Sequence, residues 1–420
     1  MVRTEILPGV MLTAVQSEKF KTGCFSLNLL RPLCREEAAK NALTFSVLLR
    51  GTQKYPDMQS LSAVMDELYG TEIGLLVRKK GEVQASGLYA DFVEDDLLEG
   101  ESIFSSVVEL AARMLLEPRL ENGAFLPDYV EREKENLIHS IRSRINSKRS
   151  YAAGQMVKAM CRGEAYGVDR VGEEEDVLPI TAESLYEHYL HMLKTSRVEI
   201  LYMGRKSPDT VENTFRDALK DLPRGELVSL STQVVKAAKK EKYAEEKLNV
   251  TQGKLCMGFR LGCSCTDPGW TAVTVLNAVF GSGVTSKLFL NVREKMSLCY
   301  YASSSLEKHK GIMVVSSGIE FEKFDTAKAA ILQQLEDCRQ GSITEYELES
   351  AKKHMISGLR AAKDSPGQLD EYHLGQAVSG RMGTLDEAME KVAAVTAEEV
   401  AQAARNVTLD TVYFLKGVDA

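Results

Sequence analysis

A chain of 420 residues with 44% hydrophobic and 27% charged residues has the composition of a folded globular protein, and its length asks for two or more domains. The formal net charge of −8 speaks against a general nucleic-acid binder, whose phosphate-seeking surface needs clustered Lys and Arg. No run approaches the ~20 apolar residues of a membrane span. The opening MVRTEILPGVMLTAVQSEKF shows neither a long apolar stretch nor a small-residue cleavage site, so neither a membrane nor an export route is expected. The eight Cys then read as reduced thiols in a cytosol, and the expected location is cytoplasmic. Cys256, Cys263 and Cys265 have no second Cys/His pair at zinc spacing and read as small buried apolar residues.

In chain order, Val10–Ala14 and Cys24–Leu30 read as a β-hairpin joined by polar SEKFKTG. An apolar helix follows from Arg35 to about Arg50 and closes at Gly51. A second helix runs through SLSAVMDELYG. Two strands, GTEIGLLVRKK and GEVQASGLYADF, meet at Lys80-Gly81. Helices are predicted over roughly 95–117, 127–147, 150–161 and 182–194, then a strand from Arg197 to Gly204 and one more helix. Residues 223–247, PRGELVSLSTQVVKAAKKEKYAEEK with its charge run, read as the interdomain connection and a solvated face.

The second half repeats the first. Lys80-Gly81 matches Lys310-Gly311 at an offset of 230, and Ser86-Gly87 matches Ser317-Gly318 at 231. FLPDYVEREKENLIHSIR resembles SITEYELESAKKHMISGLR, with Tyr129 on Tyr346 and Ser140 on Ser357 at 217. A period above 200 residues means duplicated domains, not a solenoid. The expected organisation is one domain over 1–222, a linker over 223–247 and a homologous domain over 248–420. Each would be an α+β unit, a mostly antiparallel sheet with helices packed on one face.

The helix NALTFSVLLRGTQKYP, ending in Gly51-Thr52, resembles the zinc helix of the M16 peptidases (pitrilysin, insulinase and the mitochondrial processing peptidase). Active members place H-x-x-E-H there, two His for the metal and a Glu as general base. Aligned on Gly51-Thr52, the five positions hold Ala42, Leu43, Thr44, Phe45 and Ser46. The family's later Glu ligand falls on Ser140 of VEREKENLIHSIRSRI, while an earlier helix acid matches Glu133. A catalytic zinc needs three protein ligands and an open position. Ala42, Phe45, Ser46 and Ser140 are therefore positions of a degenerate zinc site, and no metal or other cofactor is expected on this chain. His139, beside Ser140, lies about 100° round the helix and is not promoted to a ligand.

The resemblance covers nearly the whole chain and is strongest in TDPGWTAVTVLNAVFGSGVTSKLFLNVREKMSLCYYASSS. Active members carry an Arg and a Tyr at R-x6-Y spacing that hydrogen-bond a bound peptide and polarise its carbonyl; here these are Arg293 and Tyr300. EKENLIHSIRSRINSKRSYA and MCRGEAYG resemble the zinc-motif-lacking YmfF-type bacterial branch. The resemblance implies a LuxS/MPP-like metallohydrolase fold made twice. It also implies a catalytically silent homologue that binds extended peptides and completes or regulates the site of a zinc-bearing M16 partner subunit. The assembly would be that heterodimer, or a homodimer, with zinc only in the partner. The alternative is a structural or scaffold protein without a peptide role; by resemblance alone, the YmfF type is also linked to modification of the translation factor EF-P. An active peptidase with substitute ligands has little support.

Other motifs read blandly. His188 and His191, at H-x-x-H on ESLYEHYLHML, lack a third ligand and read as ordinary helix-face residues. Glu133 reads as a solvated acid or a partner for a Lys or Arg one turn along its helix. His309, His354 and His373 are isolated. Gly281–Lys287 lacks phosphate-loop spacing and reads as a turn that Thr285 or Ser286 caps. Ser282, Ser316 and Ser317 have no His/Asp grammar around them.

Overall fold

The computed structural model describes residues 1–418. The first half of the chain comprises β1 (Val2–Leu7), β2 (Val10–Gln16), β3 (Thr22–Pro32), α1 (Arg35–Leu48), α2 (Met58–Glu67), β4 (Glu72–Lys80), β5 (Val83–Val93), α3 (Phe104–Leu116), the short strands β6 (Leu120–Glu121) and β7 (Ala124–Phe125), α4 (Pro127–Ser143), α5 (Lys148–Met160), α6 (Glu174–Val177), α7 (Ala182–Thr195), β8 (Arg197–Gly204) and α8 (Pro208–Ala218). The second half comprises β9 (Lys242–Leu248), β10 (Gly253–Arg260), α9 (Trp270–Phe280), a π-helical stretch (Leu288–Lys295), β11 (Cys299–Glu307), β12 (Ile312–Ile319), α10 (Phe324–Arg339), α11 (Glu345–Ala362), α12 (Pro366–Ser379), α13 (Leu385–Ala394), α14 (Ala397–Arg405) and β13 (Thr408–Gly417). Among the described residues no helix is long and apolar enough to cross a membrane.

The α+β architecture is made twice, as expected. The first sheet has the order β1-β2-β8-β3-β5-β4 and the second β11-β12-β10-β13-β9. Read from the other edge, the second repeats β2-β8-β3-β5-β4 strand for strand. In both, one parallel pair (β2 with β8, β9 with β13) sits in an otherwise antiparallel sheet. Lys80-Gly81 and Lys310-Gly311 occupy the same hairpin turn, and both glycines take left-handed φ values of +58° and +68° that side-chain-bearing residues adopt at a cost.

Two local expectations are corrected. β2 and β3 do not form a hairpin: β2 pairs with β1, and β8 lies between β2 and β3. All of β8 after Arg197 is buried, and a strand buried on both faces belongs in the middle of a sheet. Part of the expected linker is also a strand. Lys242–Leu248 pairs in parallel with β13, and its alternating exposed charges mark an edge strand that discourages further pairing.

Two compact units result, and neither is contiguous in sequence. The first contains residues 1–142, 168–231 and 366–378; the second contains 143–167, 232–365 and 379–420. In the second unit Leu255, Met257 and Phe259 of β10 join the core that contains α9, α10 and α14. The alternate residue Cys256 joins a smaller core with Ala152, Met156 and Met160 of α5, as the period of two in a strand requires. In the first unit Leu27 and Leu29 of β3 face the main helices. Leu30, Val83, Ala85 and Leu201 instead meet Leu374 of α12. Each sheet thus carries its expected helical layer on one face, and a single helix from the other half of the sequence on its second face.

Charges pin these second-face segments. Lys310, fully buried, lies 2.6 Å from Glu164 just beyond α5, and Arg260, also buried, reaches Glu164 at 2.6 Å and Asp410 at 2.9 Å. Burial opposes the charge on Glu164, but Arg260 and Lys310 outweigh it and hold the carboxyl below its ordinary range. In the first unit Lys80 pairs with Glu371, and Asp370 takes Arg78 and Ser26. Removing one member of a buried cluster strands the others, at a cost of about 3 kcal/mol or more. Glu164→Gln should therefore lower the urea midpoint of the second unit, whereas the exposed, singly paired Glu398→Gln should leave it unchanged.

Candidate functional site

Helix α1 decides what the degenerate zinc position can do. Glu36 and Glu37 in its first turn suit the positive end of the helix dipole. Beyond them the helix is buried on almost every side: Ala42 is 3% exposed and Phe45 0%, while Ser46 is half-buried. Neither an alkyl nor a phenyl group donates to a metal, and one hydroxyl is no substitute for two imidazoles. Ser140 and His139 are exposed on α4. Glu133 pairs across elements rather than with a cation one turn along its own helix: Arg50, just past α1, reaches it at 2.9 Å. The reason is the position of Arg50, whose guanidinium also covers the Tyr129 ring of α4. The residues present do not fit a zinc ion. Among the described residues no group of three His, Cys, Asp or Glu could hold a metal.

The buried polar side chains of this region form a neutral network. Asn41 donates to Gln84 Oε1 at 2.7 Å, and its Oδ1 lies 2.7 Å from His188 Nε2; Gln84 donates to the Ala38 carbonyl at 3.0 Å. His188 and His191 do not act as a pair, since His188 is buried and His191 exposed. Burial pushes the His188 imidazole down to about 4, against a smaller upward pull from Glu37.

Arg293 and Tyr300 flank a run of irregular backbone. Leu288 and Val292 anchor the π-helical stretch in the core. Lys287 holds its start through a buried 2.8 Å pair with Glu347, and Asn291 donates to Gln334 at 2.5 Å. Ser286 accepts from the Phe289 amide, capping the stretch as its sequence suggested, and Lys287 is committed to structure rather than to a phosphate. After the π-helical turns, Ser297 takes a left-handed φ of +51°. The β11–β12 register then slips between Cys299 and Tyr301, so that Tyr300 is the bulged residue of an edge strand. π-turns and bulges re-aim side chains and concentrate at functional sites. Here they leave Arg293 39% and Tyr300 66% exposed. Arg293 stacks on Phe289 at 4.6 Å, and the Tyr300 hydroxyl has no hydrogen-bond partner among the described residues. The pair can offer a guanidinium fork and a phenolic O–H to an incoming carbonyl or carboxylate.

Sequence reasoning passed over Tyr301 of β11 and the two cations over its ring, Arg149 of α5 and Lys254 of β10. The available signal was the cation run Arg142, Arg144, Lys148, Arg149 in a chain with more acids than bases.

A doubled sheet of this order, with an apolar helix where metal ligands stand and an exposed Arg/Tyr pair, defines a peptidase-type fold without its metal site, and the comparisons agree. A family model described as Peptidase M16 inactive domain matches residues 179–355, which include Arg293 and Tyr300. The chain is 32% identical over 98% of its length, and 96% of the relative's, to the probable inactive metalloprotease YmfF of Bacillus subtilis. It belongs to the M16 peptidase family and is an inactive homologue within it. It is also 24% identical, over 68% of its length and 69% of the relative's, to the uncharacterized zinc protease YmxG of the same bacterium. A conserved protein from Enterococcus faecalis, 28% identical, superposes with a TM-score of 0.90 over 100% of this chain and 99% of that one. The peptidase M16 inactive domain from Pseudomonas fluorescens, 17% identical, shares the fold with a TM-score of 0.79 over 99% and 98% of the two chains.

Two outcomes are expected. Chain purified without chelators and dialysed against zinc should retain well under one equivalent by elemental analysis; a full equivalent would mean that other ligands replace the lost set. The folded pKa of His188 lies below that of the free side chain, so the unfolded state takes up the proton first. Stability should be complete above about pH 6.5 and fall as the pH drops toward 4. His188→Gln should flatten that part of the stability profile.

Proposed function

We propose that the chain binds extended peptides and, in a heterodimer in the cytosol, completes the active site of a zinc-bearing M16 subunit. The partner supplies metal, activated water and base. This chain supplies Arg293 and Tyr300, whose N–H and O–H groups hold the peptide backbone and take up charge that develops on the carbonyl oxygen. The observation that carries the reading is the contrast between the two halves of the motif set. The zinc positions Ala42 and Phe45 have gone into the core, whereas Arg293 and Tyr300 remain exposed, with the Tyr300 hydroxyl uncommitted. A scaffold without a peptide role would have no use for two such donors at a π-turn and a bulge. Bacillus subtilis holds relatives named for both conditions, one inactive and one a zinc protease, which supports a pairing of unlike subunits.

The test is peptide cleavage by this chain mixed with a zinc-bearing M16 subunit of the same organism. Removal of one donor to a developing oxyanion costs on the order of 100-fold in rate. Arg293→Ala and Tyr300→Phe should each lower the joint rate by about that much, with the unfolding transition unmoved. Unchanged rates in both variants would return the chain to the scaffold reading.

A further inference from the structure

The second sheet presents a cationic surface on the face that α5 crosses. Tyr301 of β11 lies flat there, its ring against Gly318 of β12, where a Cβ would come within 2.5 Å of it. The Arg149 guanidinium sits over this ring at 4.2 Å, and the Lys254 ammonium lies 6.0 Å from its centre. Arg149 donates to Ser303 Oγ at 2.8 Å and Lys254 to Gln252 Oε1 at 2.5 Å. Both partners are neutral. No carboxylate pairs with either cation among the described residues, although this chain carries 60 acidic residues against 52 basic ones.

The carboxylates on this face are already engaged. Glu164 is taken by Arg260 and Lys310, Glu246 by the hydroxyls of Tyr151 and Tyr413, and Glu307 by Tyr166. Burial pushes the Lys254 ammonium down, against a smaller upward pull from the Cys256 thiol. The Tyr301 hydroxyl is itself buried without a hydrogen-bond partner, and an unmade hydrogen bond of this kind is rare in a folded protein. Two cations thus face one ring, the hydroxyl of that ring is unused, and every nearby acid is spoken for. A surface that served packing alone would have little reason to gather these features in one place. Arg149 is exposed, so the site can be reached from solvent. Its guanidinium still has donors to offer beyond the bond to Ser303, in a fork that suits a carboxylate.

We propose that Arg149 and Lys254, across Tyr301, form a carboxylate-binding site. The site adjoins the Arg/Tyr pair. Arg293 lies close enough to Cys299, two residues before Tyr301, for its charge to oppose the burial that raises that thiol. A peptide lying along β11 would therefore place an acidic side chain, or its own C-terminal carboxylate, against Arg149 and Lys254 while its backbone meets Tyr300. That the carboxylate belongs to a peptide rests on the peptide-binding function proposed above; the carboxylate site itself does not. The class of peptide selected is acidic.

The experiment uses the full chain and three probes: a fluorescent acidic hexapeptide, the same peptide with each Glu replaced by Gln and its C-terminus amidated, and glutarate. The acidic peptide should bind about tenfold or more tighter than its neutral counterpart, the worth of one charge-assisted hydrogen bond, and glutarate should displace it. Arg149→Gln combined with Lys254→Gln should erase the difference while binding of the neutral peptide and the unfolding midpoint stay as they were. Equal binding of the two peptides by the unaltered chain overturns the site, as does failure of both the acidic peptide and glutarate to bind. Binding of glutarate with neither peptide bound, detected by a shift in the tyrosine spectrum that the double variant loses, supports the carboxylate site and overturns the peptide reading alone.

Discussion

Lysine at the hairpin turn of each sheet, held by a carboxylate from the other half of the sequence, is the contact on which the architecture turns. An ammonium group with the exposure of Lys310, effectively zero, is untenable in a folded interior unless it is neutralised and hydrogen-bonded. Glu164 supplies the charge and the Gln233 carbonyl a second acceptor at 2.6 Å. The same logic places Glu371 against Lys80. A sheet whose turn carries such a lysine needs the returning segment, and the apolar residues of α5 and α12 then cover a face that would otherwise be open. Ion pairs of this kind are poor sources of net stability but strong selectors of one arrangement over others, because a misplaced segment leaves a bare charge behind.

The same selectivity separates structure from chemistry within α1. A helix built to hold a metal must keep imidazoles at its surface. Here those positions are an alanine, a phenylalanine at 0% exposure and a half-buried serine, and the polar atoms nearby are spent on a neutral chain from Gln84 through Asn41 to His188. The helix has become a packing element. The Arg293–Tyr300 segment went the other way and kept irregular backbone. A π-helical turn, a left-handed Ser297 and a bulge within so short a stretch forgo regular hydrogen bonding and point two polar side chains outward.

Much of this was legible in the residues. Lys80-Gly81 and Lys310-Gly311 announced the duplication because each marks a turn that needs glycine, and Gly51-Thr52 set the frame in which the missing zinc ligands could be counted. What was not legible depends on contacts distant in sequence. The insertion of β8 between β2 and β3 cannot be read from two strands that look like a hairpin. The strand at Lys242–Leu248 was hidden by its charges, which serve its place at an edge. The cations at Arg149 and Lys254 are about a hundred residues apart and converge only because α5 lies across the second sheet. Glu133 found Arg50 rather than a neighbour on its own helix for the same reason: local spacing proposes partners, and packing chooses among them.

The exchange of α5 and α12 also bears on how the chain is made. When the ribosome has finished β8, every strand of the first sheet exists, yet the helix that covers its second face is still more than 150 residues from synthesis. At ordinary translation rates that is on the order of ten seconds. During this time Leu30, Val83, Ala85 and Leu201 face water, and Lys80 waits for its carboxylate. The first unit therefore cannot close until α12 is made, although its strands are the first to be translated. A chain released before α12 would leave an exposed sheet face and an uncompensated lysine, the marks by which chaperones and proteases recognise unfinished protein.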